Sequence, residues 1–544
     1  MKLRTPFFAA ALMCSAAFAA APAADPNIPH LQKKGTATQL IVDGKPFLML
    51  AGELSNNSAT SLDYMKPIWA NMAAAKFNTA LVGVSWNQVE PQEGKFDFKM
   101  VDAALDGARA QNLRVVLLWF GSWKNSLSSY APDWVKKDFE RFPRAQFDGG
   151  KSIEELTTLS ENNWTADAKA FAALMKHVKE IDGQKHTVIF IQVENEVSMH
   201  TITCDRSPLA TKAYGEQVPK ELMDYLQAHK DKLIPEFRAY WGANGFKTTG
   251  TWEEAFGKGP GTEGIFMSWN YSRYMGKVAA AGKAEYPIPM YANAAMYSIV
   301  KGQFTPARGR PWDLVMDIWQ CGGPAIDVIS PDIYSLNDYA GFCARYTQNG
   351  NPLLIPETSS GAGCTARAIF AFCRYDAICF SPFGIDRASP SSELTSAYTL
   401  LGQLSPMILA HQGDGTMSAI MFNAGDPEQK VTVGNYTMLV TAPRGGRGGA
   451  ATASAPAAAA NSLYALFIQT GPDEYYMVGN GVTLTFASTK PGTPLAGMGT
   501  VEEGAFVNGK WVPGRLLSGD DTSQGDILNL RNNNIMRVTL YSYK

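Results

Sequence analysis

Two glutamates, each closing a short apolar run, carry the chemistry this sequence can perform. Residues 187–193 read Thr-Val-Ile-Phe-Ile-Gln-Val and lead into Glu194-Asn195-Glu196; Leu353, Leu354 and Ile355 lead through Pro356 into Glu357. Runs this apolar and β-branched are buried strands of a parallel sheet. A buried strand ends in carboxylates where it opens on a solvated working face, and in (β/α)8 barrels that face lies at the carboxyl ends of the strands. Alternation along the strand puts Gln192, Glu194 and Glu196 on one face. Glu196, nearest the strand's end, is the one expected to reach the site. Two carboxyl groups brought together in this way can cleave a glycosidic bond, one giving a proton and the other attacking carbon. A strand running into a polar loop with a charged cap explains either stretch alone.

Holding both glutamates at one site requires a repeating frame, and the chain supplies one. Short apolar runs at 47–51, 77–84, 113–120, 187–193, 288–292, 325–329, 353–355 and 377–380 read as strands, the first preceded by a hairpin signal at Asp43-Gly44. Between and after them, 64–76, 100–111, 168–179, 219–232 and 233–245 have helical spacing. Strands alternating with helices predict an α/β fold with a parallel sheet. Periodicity alone leaves two of the strands open. Past residues 405–415 the pattern changes to β-rich runs at 417–422, 430–433, 438–441, 464–469, 474–478, 482–486 and 537–541, punctuated by Gly, Asn and Asp. These predict a smaller antiparallel β-sandwich. Inside it, residues 443–461 are rich in Gly, Ala and Ser and read as a loop, with too few arginines to hold a phosphate backbone.

The 544 residues include 48 basic and 50 acidic side chains, a net charge of −2 that suits neutral ligands and excludes a nucleic-acid face. Lys2 and Arg4 precede an apolar run at 7–21 and small residues through Ala24, the pattern of a secretory signal cleaved near Ala24. The expected division is therefore a signal at 1–24, a barrel at 25–412 and the β domain at 413–544. Export to the periplasm, or beyond the cell, follows from that reading. No later run approaches the ~20 apolar residues that span a bilayer. Cys204, Cys321, Cys343, Cys364, Cys373 and Cys379 permit up to three disulfides, and a local bridge among the last three and buried free thiols are equally expected. No Cys/His spacing suggests a metal, no cofactor is expected, and His200 reads as a structural histidine. The oligomeric state is left open.

With Gln192-Val193-Glu194-Asn195-Glu196 and Glu357 in place, the chain resembles the retaining glycosidases of the large (β/α)8 clan, most closely the family 35 β-galactosidases. Trp86-Asn87 with Glu90-Pro91, then Gly94, Phe96, Asp97 and Phe98, form a motif shared with the same clan. The resemblance spans roughly 47–386 and implies a complete (β/α)8 TIM barrel. It makes Glu196 the acid/base, Glu357 the nucleophile and Asn195 a partner of the sugar's 2-hydroxyl. Tyr334, past the sixth strand, is placed to bond Glu357. Glu53, Asn87 and Asn125 are candidate hydroxyl partners, and Trp123, with Trp86, Trp119 and Phe383, a candidate platform for a pyranose ring or else core. Gly83, Val89 and the run Ser122-Trp123-Lys124-Asn125-Ser126 depart from the family pattern where hydroxyls are read, so the sugar is less defined than the reaction. The function implied is an exported, retaining exo-β-galactosidase acting on plant-type oligo- and polysaccharides. A different sugar on the same scaffold is the alternative. A carbohydrate-binding protein without catalysis is a further one, against which both carboxylates speak.

Overall fold

The computed structural model describes residues 25–296, 304–305, 307–423, 425–442 and 462–544. The signal expected at 1–24 and the loop expected at 443–461 lie outside them. Eight parallel strands form one sheet: Met49–Glu53, Thr79–Ser85, Arg114–Lys124, Val188–Asn195, Met290–Ala295, Val328–Asp332, Leu354–Thr358 and Cys379–Pro382. Each lies within a few residues of a predicted run, because an apolar β-branched segment buried on both faces is itself the signal. The eighth strand pairs with the first, and a bridge from Ile333 to Thr358 joins sixth to seventh, so the barrel is nearly closed.

The barrel interior is packed with Met49, Ala51, Leu81, Val116, Leu118, Tyr291, Val328, Leu354 and Cys379. Leu40 and Val42 join this cluster from a three-stranded antiparallel sheet, His30–Lys34, Ala37–Val42 and Lys45–Phe47, that leads into the first strand. Asp43 and Gly44 take φ of 50° and 71°, the left-handed pair that the hairpin signal demands.

Helices Leu62–Ala74, Lys99–Ala110, Glu161–Asp182, Lys220–Ala228 and Pro235–Ala243 occupy the predicted segments. The helix Pro260–Glu285 was not legible: it is buried on nearly every side, so no polar stripe reveals its period. The C-terminal sheet has ten antiparallel strands and is continuous. It wraps around one core to which Phe422, Met438, Phe467, Met477, Leu484 and Val538 contribute, so the sandwich is made from a single sheet. Strands Leu495–Val507, Lys510–Leu516 and Leu528–Leu530 were missed; in the first, glycines interrupt the alternation. Tyr464, Leu466 and Ile468 pack with Ile369 and Leu404 of the helices Cys364–Arg374 and Glu393–His411 in the core cluster of the barrel side. All six described cysteines are free, which settles their pairing in favour of thiols. Among the described residues no helix is long and apolar enough to cross a membrane.

Candidate active site

The fourth strand ends at Asn195, and there its alternation fails. Glu194 and Glu196 take φ of 58° and 46°, the left-handed region that non-glycine residues seldom enter. The expectation that the two glutamates share one face is therefore corrected. Glu194 is fully buried and accepts the backbone N–H groups of Ser122 (3.0 Å) and Trp123 (2.7 Å). Glu196 is partly exposed, and its backbone N–H donates to Asn293 Oδ1 at 3.0 Å. One carboxyl oxygen each of Glu196, Asp332 and Glu357 lies within 4.8 Å of the others. Strands four, six and seven thus deliver three carboxyl groups to one point at the carboxyl end of the barrel.

Burial and like charge govern their ionisation. Glu357, 6% exposed, is raised to about 7, first by burial and then by the charge of Glu196; the Lys124 ammonium and the Tyr334 hydroxyl, which donates to Oε2 at 2.9 Å, oppose the shift. Asp332 is pushed well above the usual carboxylate range by burial, then by Glu357 and Glu196, and accepts from Asn293 Nδ2 at 2.9 Å. Glu53, wholly buried, is raised by burial and then by Glu357, and neither of its oxygens has a protein partner. Burial and the neighbouring carboxylates thus push Asp332 and Glu53 toward their neutral forms, while the Lys124 ammonium and the Tyr334 hydroxyl favour the ionised form of Glu357. The three clustered carboxyls are close enough to share a cation, but Lys124 already supplies positive charge to them.

A second buried network fixes where Lys124 and Asn125 stand. Beside Glu194, Asp167 accepts from Trp119 Nε1 (2.9 Å) and Ser122 Oγ (2.6 Å), and Tyr274 completes the group. Gly121 is required here, since a Cβ would stand 2.3 Å from the Trp119 indole nitrogen and 2.6 Å from Glu194 Oε1. Glu194→Ala should lower stability by roughly 2–4 kcal/mol, because it leaves two buried N–H groups unpaired. Thermal melting checks this. Aryl-galactoside rates on the same variant should keep the native dependence on the leaving group; a steeper dependence would make Glu194 a proton donor and refute its structural role.

The remaining sequence candidates divide. Tyr334 reaches Glu357 as expected. Asn125 is exposed on the cleft beside Glu196. Asn195 is next to Glu196, but its amide is fully buried among Gln192, Asn125 and Asn293; with its oxygen turned to Lys124 it accepts from Nζ at 2.9 Å. It secures the strand end rather than meeting solvent. Glu53 sits at the cluster but closed from solvent, so it shapes the electrostatics and is not a free hydroxyl partner. Asn87 is corrected: it lines a separate cavity of about 390 Å3 beside the second strand and the helix Lys99–Ala110.

Trp123 is corrected too. It is fully buried against Tyr271 and Tyr274 and donates to the Leu156 carbonyl, so the hydrophobic effect claimed it for the core. Trp86 and Trp119 are likewise core. Trp86 donates to Glu90 Oε2 at 2.8 Å while Glu90 Oε1 accepts from Gly94 N, so the Trp-Asn…Glu-Pro motif is a clasp on a turn. Phe383 is half-buried and bridges to Glu53.

Lys124, Asn293 and Asp332 were not foreseen. Asn293 and Asp332 lie near or at the ends of the fifth and sixth strands, so the positional rule that selected Glu357 would have found them. On the Glu196 side a cavity of about 580 Å3 is lined by Asn125, Ser198, His200, Arg308, Arg310 and Trp312 among others.

Comparison with known proteins bears on this arrangement. Residues 59–256, which contain Glu196, match the family model described as β-galactosidase of glycoside hydrolase family 42. Residues 394–529 match a domain of unknown function, DUF5597. A β-galactosidase of Xanthomonas manihotis is 36% identical over 118 residues, 21% of this chain and 19% of that protein, so the chain matches about a fifth of the curated relative's length. Solved structures similar to this one include a β-galactosidase from the psychrophilic Marinomonas ef1 (14% identity, TM-score 0.45, 67% of this chain and 60% of that one). Another is the catalytic domain of a Paenibacillus polymyxa β-amylase (12%, TM-score 0.43, 64% and 96%). The β-galactosidase-type domain is thus found, but as family 42 and not family 35. The Gln192–Glu196 motif suggested family 35, whereas Gly83, Val89 and Ser122–Ser126 had already left that family's pattern.

Proposed function

We propose that the protein is a retaining exo-β-galactosidase that removes terminal β-galactosyl residues from plant-type oligo- and polysaccharides. The observation that carries this reading is the approach of Glu196 and Glu357, whose oxygens lie within 4.8 Å. Retaining enzymes hold their carboxyl groups about 5–5.5 Å apart, whereas inverting ones leave ~6.5–9.5 Å for a water. Glu357, ionised with the help of Tyr334 and Lys124, attacks the anomeric carbon and forms a glycosyl-enzyme. Glu196 protonates the departing oxygen. Having given up its proton, Glu196 is the base that takes one from water in the second step, and the Glu357–sugar bond breaks as the water oxygen bonds to the anomeric carbon. Glu357 is almost closed off from solvent, and such restricted access favours attack on a terminal sugar.

Initial rates on a panel of nitrophenyl glycosides test the reading. Release from the β-galactoside alone supports it. Release from a β-glucoside, β-mannoside or α-arabinoside instead keeps the mechanism and moves the substrate. Silence on every sugar would leave a strict polysaccharide enzyme or a binding protein, and silence on galactosylated polysaccharide as well would refute the proposal. Export rests on residues 2–24, and a mature N-terminus far from residue 25 by mass spectrometry would refute it.

Tyr334→Phe removes the hydrogen bond that lowers the Glu357 pKa. Since Glu357 must be ionised, the acidic limb of the kcat/KM profile, near pH 7 in the wild type, should move up. At neutral pH the rate should fall roughly 10–100-fold. An unmoved limb would separate Tyr334 from the nucleophile.

A further inference from the structure

The Glu196 half of the cleft is more cationic than cleavage of a neutral galactoside requires. Among the described residues lining its cavity, Glu196 is the single carboxylate, set against the guanidinium groups of Arg308 and Arg310, with the His200 imidazole beside them. The lining includes neither Glu357 nor Tyr334. The acid protonates the departing oxygen, so this half receives the released sugar. Its volume, about 580 Å3, is that of an ordinary small-ligand site.

The arginines stand on a built support. Arg310 is 8% exposed, donates to Ser198 Oγ at 3.1 Å, and lies over the Trp312 ring, 4.9 Å from its centre. Ser198 is itself tied to Ser126 Oγ at 2.7 Å. The loop backbone is pinned: Met199 N donates to the Arg308 carbonyl (2.8 Å), Trp319 Nε1 to that of Arg310 (3.2 Å), and Tyr346 Oη to that of Pro311 (3.1 Å). Gly309, at φ 89°, lets the loop lie on the Pro260–Glu285 helix, where a Cβ would stand 2.3 Å from the Tyr271 ring. Arg308 remains exposed beside this fixed point and donates to the His200 carbonyl at 3.4 Å. Two guanidinium groups lining one cavity offer planar donor forks of the kind that recognise a flat or tetrahedral oxyanion.

We propose that this half of the cleft recognises an acidic sugar, one bearing a carboxylate or a sulfate ester, as the unit released from the galactosyl residue. The assignment of sides rests on the galactosidase reading above.

The test compares kcat/KM for a galactosyl-glucuronic acid disaccharide with that for the same disaccharide of glucose. The acidic substrate should be preferred by about 10–100-fold at low ionic strength, with the preference shrinking in high salt. Arg308→Gln and Arg310→Gln should each reduce the rate on the acidic substrate at least ~10-fold more than on the neutral one. Arg308 is exposed, so its variant folds even where Arg310→Gln does not. Equal rates on the two disaccharides, or a preference that survives in Arg308→Gln, would overturn the proposal. Rapid cleavage of nitrophenyl β-glucuronide in place of the β-galactoside would move the acid to the other ring and overturn it as well. Inactivity on nitrophenyl β-galactoside would strike the galactosidase reading alone. Calorimetric titration of the full chain with glucuronic acid and with glucose still decides the site in that case, tighter binding of the acid supporting it and equal binding refuting it.

Discussion

Glu357→Ala is expected to abolish turnover of nitrophenyl β-galactoside, with kcat/KM falling by at least ~10⁴-fold, about 5–6 kcal/mol of transition-state stabilisation. The loss follows from geometry. Glu357 is the carboxylate to which Tyr334 donates at 2.9 Å and whose ionisation Lys124 favours. Azide should restore turnover by occupying the space left by the carboxylate and attacking the same face of the sugar. The product should be the α-galactosyl azide, identified by its anomeric NMR signal. A β-azide would mean that azide had attacked a glycosyl-enzyme from the leaving-group side, which would make Glu357 the acid/base and another carboxylate the nucleophile. Rescue of Asp332→Ala by azide instead would show that the nucleophile had been assigned to the wrong member of the cluster.

Glu196→Gln has the second largest expected effect, and its signature is selectivity. Substrates with a poor leaving group should slow by about 10²–10⁴-fold, while dinitrophenyl galactoside, whose leaving group needs no proton, should form the glycosyl-enzyme at near the native rate. Deglycosylation then becomes limiting, and azide accelerates it. The acidic limb supplies a second readout. Burial is the largest cause of the raised Glu357 pKa and the charge of Glu196 the next, so removing that charge should move the limb from near 7 to lower pH. The sign is opposite to that expected for Tyr334→Phe, in which a hydrogen bond that lowers the pKa is lost. A uniform loss across all leaving groups would remove Glu196 from the acid/base role.

Both effects rest on residues that the primary sequence makes conspicuous. Glu196 and Glu357 stand out because a buried parallel strand has no use for a carboxylate at its end unless the end is a working face. Apolar continuity, with the family resemblance deciding the two strands that periodicity leaves open, located the barrel strands within a few residues and the change to antiparallel sheet past residues 405–415. Local pattern carries that much because strand period and apolar continuity are properties of contiguous sequence. Tyr334 followed from its place just past a strand end, and the structure puts its hydroxyl on Glu357.

What the sequence could not determine is which side chains turn inward once alternation fails. Left-handed φ at Glu194 and Glu196 separated two glutamates that alternation had placed together, sending one to a buried clasp with Ser122 and Trp123 and the other to the cleft. Trp123 and Asn87 look like ligand contacts in one dimension. Only packing against Tyr271 and Tyr274, and against the helix Lys99–Ala110, assigned them elsewhere. Lys124, Asn293 and Asp332 meet across 39 to 208 positions of chain, and no local signal reports a meeting over that distance. The sequence by itself determined the scaffold and the two carboxylates, since burial and period are written locally. The tertiary structure alone decided their electrostatic company and the cationic half of the cleft, since proton affinity and recognition depend on which distant charges share a low-dielectric space.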